Sequence, residues 1–462
     1  MKTFLTFVLI LISALNLKAQ NQFKFAIIGD FGYEGANELN VSILVKSWNP
    51  EFIITLGDNN YDYGEQSTID PNIGQYYSQF IYPYIGNYGS GDTVNRFFPS
   101  LGNHDWDTDS ASPYLNYFTL PGNERYYDFI KGDIHFFVLD SDPREPDGTD
   151  SNSVQALWLK NSLASSTQQF NLIYFHHPAY TSGRNGNFVY MQWPFKRWGA
   201  DAVFSGHDHT YERIYFDGLT YFVNGLGGRS IDYFNAPITG SVIRYNDNYG
   251  AMLVDSYEDS LTFRFYSISG NLKDYYKLMP SQKNLQIKLL TEGFYDPGSN
   301  KMQSDTFKVV LRNSLSPYNI VDSSKGFADS TGSCNFKFTG ARNATLYYLA
   351  VKHRNSIETW SSSAIAFASG TLTYNFTSAA NKAYGNNQKQ IDVSPVAFGI
   401  YSGDVNQDGI VDITDNELID NDSYNFATGY VRTDVNGDNI VDVADVAIAD
   451  NNAFNFVIKL TP

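Results

Sequence analysis

The chain has 462 residues, 42% of them apolar and 16% aromatic, which excludes wholesale disorder and is long enough for about three domains. Its 32 basic against 49 acidic residues leave a formal charge of −17, which argues against a nucleic-acid-binding surface. The acid is uneven: residues 401–462 hold twelve Asp or Glu against two Lys or Arg, a net −10, so the first 400 residues carry only −7. A local charge that dense calls for a cation.

Residues 1–19 read as a signal peptide, with Lys2 in a short basic region, an apolar stretch over residues 4–17 and small Ala19 before Gln20. The expected location is therefore secreted or cell-surface associated, by bacterial export. The apolar stretch is short for a membrane span and no later one is longer, so no span is expected. Cys334 is the only cysteine, which leaves stability to packing and bound metal rather than to an intramolecular disulfide.

Residues 20–281 form the first expected domain. Apolar, β-rich runs end in Gly, Asp, Asn or His: FKFAIIGD, EFIITLGDNN, HFFVLDSD, FNLIYFHH and ADAVFSGHDH. Between them, stretches such as SVQALWLKNSLASS carry apolar residues at helical spacing, with Ser153 placed to cap the helix. Alternating strand and helix predicts an α/β fold, a layered β-sandwich flanked by helices with ligands at the carboxyl ends of its strands. Residues 282–400 switch to strands and turns, as in TFKVVLRN and TLYYLAVKHR, and predict a β-sandwich-like domain with no catalytic constellation. Residues 401–462 contain a repeat: residues 404–426 and 434–456 match at 12 of 23 positions with an offset of 30.

Five clusters terminate the apolar runs of the first domain: Gly29-Asp30-Phe31-Gly32, Gly57-Asp58-Asn59-Asn60-Tyr61, Gly102-Asn103-His104-Asp105, His176-His177-Pro178 and Gly206-His207-Asp208-His209. Asp30 and Asp58 end strands expected side by side, and two buried anions in contact need a cation between them. One carboxylate can bridge two cations about 3.5 to 4 Å apart, the spacing of two-metal phosphate chemistry. The amide of Asn103 and the imidazoles of His176, His207 and His209 mix hard and borderline donors, which suits Fe, Zn or Mn better than calcium. The glycines before the ligands allow sharp turns and close approach.

These motifs, in this order, resemble the calcineurin-like metallophosphoesterases, and Tyr61 narrows the resemblance to the purple acid phosphatases over residues 23–281. The resemblance implies a ferric ion held by Asp30, Asp58, Tyr61 and His209, and a divalent Fe, Zn or Mn held by Asn103, His176 and His207, with Asp58 bridging. Tyr63 is the alternative phenolate, but the family spacing selects Tyr61. The implied reaction is hydrolysis of phosphate monoesters by metal-activated hydroxide at that binuclear centre. His104 is the candidate to neutralise the phosphoryl oxygens or protonate the leaving alkoxide, Asp105 to orient it, and His177 for either an outer contact or the core. His135, His353, Asp140 and Glu212 read as structural or as outer contacts.

Each repeat of the tail reads as a twelve-residue calcium loop with donors at positions 1, 3, 5, 9 and 12 and a backbone carbonyl at position 7. These are Asp404, Asn406, Asp408, Ile410, Asp412 and Asp415 in one loop, and Asp434, Asn436, Asp438, Ile440, Asp442 and Asp445 in the other. Position 6 is Gly409 or Asn439, and position 12 is Asp, as in type I dockerins, which the tandem resembles. Two purposes explain the same residues: docking to a cohesin-like or cell-surface partner, or a calcium-rigidified cap on the preceding β-domain. Three readings of the whole chain follow: a secreted acid phosphatase, a phosphodiesterase or nucleotidase on the same scaffold, or a calcium-dependent surface-binding protein with a vestigial catalytic domain.

Overall fold

The computed structural model describes residues 23–368 and 370–462; the signal segment expected at residues 1–19 lies outside them. The chain opens with β1 (Phe23–Ile28), β2 (Phe52–Thr55) and β3 (Phe97–Pro99), which pair in parallel. It then builds a second sheet from β4 (Tyr127–Lys131), β5 (Ile134–Val138), β6 (Phe170–Tyr174), β7 (Ala202–Ser205), β8 (Tyr211–Phe216), β9 (Leu219–Asn224) and β10 (Ser241–Tyr245). Three antiparallel strands, β11 (Gly250–Tyr257), β12 (Ser260–Ser267) and β13 (Leu272–Leu278), return to complete the first. The sheet orders are β13-β12-β11-β1-β2-β3 and β10-β8-β9-β7-β6-β5-β4.

The two sheets face each other across one apolar core, which is why the strands carry apolar residues on both faces. Phe25 of β1 stacks on Phe52 of β2 at 4.9 Å and meets Phe136 of β5 edge-on at 5.3 Å. Helices cover the outer faces. Ala156, Leu159 and Leu163 of the helix Val154–Ser165 pack with Phe137, Ile173 and Val203, and Val41 and Val45 of the helix Ala36–Ser47 join the central core. Ser153 caps its helix as predicted, its Oγ accepting from the Ala156 N–H at 3.1 Å.

Within residues 282–400, Lys283–Lys288 lies between Ser333–Phe338 and Thr371–Asn375 in one sheet. Asp305–Asn313, Ile320–Ala328, Leu346–His353 and Ser356–Trp360 form another, with Ile365–Ala366 alongside. Leu285, Phe307, Val309, Phe336, Leu349 and Val351 draw both sheets into a second core. The tail forms two helices, Ile413–Tyr424 and Val443–Phe454, over a small core of Val405, Ile419, Val435, Val441 and Ala449. It is seated on the β-region: Val411 and Val457 enter that region's core, and the Asn452 amide donates to Glu292 Oε2 at 2.6 Å and to the Ser402 carbonyl at 2.8 Å. Among the described residues no helix is long and apolar enough to cross a membrane.

Candidate metal centre

β1, β2 and β3 of one sheet and β5, β6 and β7 of the other run parallel within their sheets, and the predicted ligands follow their carboxyl ends. Asp30, Asp58 and His207 all sit at positive φ, at 55°, 54° and 68°. Such non-glycine residues cost about 1–3 kcal/mol each and persist where surrounding bonds fix them. Here the His207 N–H donates to Asp30 Oδ2 at 2.9 Å and the His104 N–H to Asp58 Oδ1 at 3.0 Å. Two glycines are required by proximity: a Cβ at Gly57 would stand 2.6 Å from the His176 ring, and one at Gly102 would stand 2.2 Å from the Asp58 nitrogen and Oδ1.

The seven expected ligands meet in two groups with one shared atom. In the first, the Tyr61 hydroxyl lies 2.8 Å from Asp58 Oδ2, 3.2 Å from Asp30 Oδ1 and 3.2 Å from His209 Nε2, with His209 Nε2 3.4 Å from Asp30 Oδ1. In the second, Asn103 Oδ1 lies 3.1 Å from His176 Nε2 and 3.0 Å from His207 Nδ1, those two nitrogens are 3.1 Å apart, and His176 Nε2 is 3.3 Å from Asp58 Oδ2. Asp58 Oδ2 belongs to both. Tyr63, the other phenol, is 64% exposed and takes no part.

This donor set fits cations. His176 Nδ1 faces the Leu56 carbonyl at 2.8 Å, so its proton is committed there and its Nε2 turns a lone pair toward two oxygen acceptors and another imidazole nitrogen. Without metal, a proton fills the gap. Burial pushes His176 down, but Asp58 more than reverses this and raises it to about 10. Burial pushes the Asp58 carboxyl up, and His176 above all overcomes this and holds it far below the usual range. His207 is pushed down to about 3 by burial and then by His176. Burial, and after it Asp58 and Asp30, raise the Tyr61 hydroxyl well above its ordinary value; a highly charged cation offsets both effects.

The three proposed catalytic residues fare differently. His104 stands at the mouth with one third of its side chain exposed, its ring 4.5 Å from that of Tyr61, its Nδ1 on the Asp62 carbonyl and its Nε2 3.9 Å from Asp58 Oδ2. Asp105 does not orient it. The buried Asp105 carboxylate turns inward to accept from the Asn59 amide at 2.9 Å and the Gly102 N–H at 2.9 Å, because the turn after Gly102 carries the side chain behind the motif. Burial, then Asp58, push Asp105 up to about 7. His177 is an outer contact. It is buried, its ring 4.6 Å from that of His207 and 4.7 Å from Phe188, with Nδ1 3.0 Å from Ser141 Oγ. His176, His177 and His207 also form a group close enough to share an ion.

Several contributors carry no motif. Ser230 Oγ meets His209 Nδ1 at 2.5 Å, and Arg144 Nη2 donates to the Asn103 carbonyl at 2.8 Å. The Arg229 guanidinium lies 4.2 Å over the Tyr33 ring and 5.2 Å over that of Tyr61, and donates to Asp62 at 2.8 Å. Elsewhere, Glu212 binds Ser182 and Ser241, Asp140 accepts from the Trp106 indole at 2.8 Å, and His135 and His353 pair with Asp128 and Asp305.

The tail loops repeat one hydrogen-bond pattern. Asp415 Oδ1 accepts from the Val405 and Asn406 N–H groups at 2.9 and 3.0 Å, as Asp445 Oδ1 does from Val435 and Asn436 at 2.6 and 3.0 Å. Asn406 and Asn436 accept from the Asp408 and Asp438 N–H groups, which precede Ile410 and Ile440. Asp412 and Asp442 also cap the helices, and Gly409 and Asn439 take the positive φ expected at position 6, 92° and 68°.

Residues 23–211 match the family model described as calcineurin-like phosphoesterase. The chain is 24% identical over 289 residues to purple acid phosphatase 7 of Arabidopsis thaliana, covering 55% of this chain and 85% of that one. It is 24% identical over 246 residues to tartrate-resistant acid phosphatase type 5 of Oryctolagus cuniculus, covering 44% and 72%. Among solved structures, purple acid phosphatase PPD1 from yellow lupin superposes with a TM-score of 0.46 at 17% identity, over 56% of this chain and 53% of that one. The chain carries a calcineurin-like phosphoesterase domain whose homologues, at low identity, are purple acid phosphatases.

Proposed function

We propose that this chain is an exported phosphomonoesterase of purple acid phosphatase type, with a binuclear Fe(III)–M(II) centre and a calcium-binding tail. The observation that carries the reading is Asp58 Oδ2, shared between a phenol-bearing donor group and an amide–imidazole one. Asp30, Asp58, Tyr61 and His209 would hold the ferric ion; Asp58, Asn103, His176 and His207 would hold the divalent one. Once bound, the two cations supply the charge that activates water and neutralises phosphate oxygens.

The chain's own residues supply placement and a proton. Leu56, Ser230 and Arg144 fix His176, His209 and Asn103 from behind. His177 and Phe188 close off the back of His207, Phe188 lying 4.9 Å from its ring, so water reaches the centre from the mouth. His104 commits Nδ1 to the Asp62 carbonyl, leaving Nε2 at the mouth to hold a proton for the departing alkoxide. The matched ligands are all present, which supports an active rather than a vestigial domain.

Export rests on the signal-like first nineteen residues. For the tail, the seating on the β-region supports the cap reading over the docking one. Rates on p-nitrophenyl phosphate and bis-p-nitrophenyl phosphate at mildly acidic pH test the substrate class. The monoester should be cleaved faster; a faster diester would move the reading to a phosphodiesterase on the same scaffold, and no cleavage of either by metal-replete protein would move it to a vestigial domain.

A further inference from the structure

The two tail loops share their internal bonds but differ at their first donor. In the 404–415 loop, Asp404 is 2% exposed; the Gln407 and Gly409 backbone N–H groups serve its carboxylate, but its Oδ1 has no hydrogen-bond partner. A buried carboxylate oxygen without a partner is costly unless a cation meets it. The β-region reaches this loop through a neutral group: Gln407 spans from the Ser356 carbonyl at 3.3 Å to the Asp404 carbonyl at 2.6 Å.

In the 434–445 loop the matching Asp434 is satisfied. Its Oδ1 accepts from the Gly437 N–H at 2.8 Å, and its Oδ2 from the Asn439 N–H at 3.3 Å and from Arg354 Nη2 at 3.3 Å. Arg354 is not a passing surface charge. It lies at the end of the β-region hairpin, its side chain 12% exposed. Asp305 holds its Nε at 3.0 Å, the Tyr430 ring lies 4.4 Å beneath its guanidinium, and it also donates to the Val431 carbonyl. Asp305 is fixed in turn by the Tyr430 hydroxyl at 2.6 Å, and the Asn355 amide donates to the Asp434 carbonyl at 2.7 Å.

Building on the calcium reading above, we propose that the repeats are unequal calcium sites: residues 404–415 form an open, tight one, and residues 434–445 a weaker one whose first carboxylate Arg354 already holds as a built-in counter-ion. A calcium ion entering the second loop must share Asp434 with a fixed positive charge, whereas the first loop offers it a partnerless oxygen. The guanidinium also keeps the second loop against the β-region when calcium is scarce, so the tail stays attached when that weaker loop, the first to lose its ion, empties.

Calorimetric titration of the calcium-free full-length chain with calcium at pH 7 tests this. Two steps at least tenfold apart in affinity are expected. Arg354→Met should tighten the weaker step toward the stronger, Arg354→Lys should leave them apart, and Asp404→Asn should remove the tighter step alone. Equal steps in the natural chain, an unmoved weak step in Arg354→Met, or a tight step surviving Asp404→Asn would overturn the assignment. If Arg354→Met does not fold, the Asp404→Asn titration decides between the outcomes. No calcium uptake by the natural chain would instead sink the calcium reading itself, and this proposal with it.

Discussion

Asp58 settles the charge balance of the site, because its Oδ2 is the atom on which both donor groups converge. In the metal-free protein its partner is a proton on His176. Burial lowers His176 and Asp58 more than restores it, to about 10, above the unfolded value of about 6.5. Its contribution to stability is therefore complete below about pH 6.5 and is lost as pH rises toward 10. Asp58 itself is shifted the other way, so its share is present above its unfolded value of about 4 and lost in stronger acid. A cation on His176 Nε2 makes that proton unnecessary. The melting temperatures of metal-loaded and metal-stripped protein should thus diverge between pH 7 and 10; a constant gap would contradict the proton-for-cation exchange. The residues that gather at this centre were legible because each follows an apolar run and a tight turn. Arg229, Ser230 and Arg144 were not, since they come from loops whose approach to the centre only the folded chain determines. Asp105 misled because adjacency to His104 says nothing about direction: its carboxylate serves Asn59 and Gly102.

The elements hold these residues through strand ends rather than through helices. β1 and β2 pair in parallel, which brings Asp30 and Asp58 to the same edge, and β6 and β7 do the same for His176 and His207 in the facing sheet. The alternation of buried strands with helical stretches made this architecture readable from sequence. Which strands return to complete the first sheet was not, because β11 pairs with β1 across more than 200 residues. The helices are structural supports, so damage to one should separate stability from chemistry. Ser153→Ala removes the cap on the helix Val154–Ser165 and should cost about 1 kcal/mol, read as a lower denaturation midpoint with unchanged kcat and KM. A large loss of kcat in folded protein would show that this helix does more than support.

Across the whole molecule, most of the charge of −17 sits in the tail, where twelve acids meet two bases. Even so, the tail is anchored: Val411 and Val457 are buried in the β-region core, and Asn452 on Glu292, Asn355 and Arg354 tie it at separate points. Motif spacing could suggest calcium loops in the tail but not the tail's seat, because the seat depends on backbone carbonyls and scattered apolar residues. Calcium removal with EGTA should open protease sites in the 404–415 loop while residues 23–281 stay protected; identical fragments with and without EGTA would argue against that loop as a calcium site.

The central claim is a mixed ferric–divalent centre with Asp58 between the ions and Tyr61 as the phenolate. Metal analysis combined with a visible spectrum of the purified protein and of its Tyr61→Phe variant tests it most directly. Two transition-metal ions per chain, at least one of them iron, with a visible band that Tyr61→Phe removes or strongly shifts, is the predicted result; a colourless, iron-free protein, or a band unchanged in the variant, would contradict it.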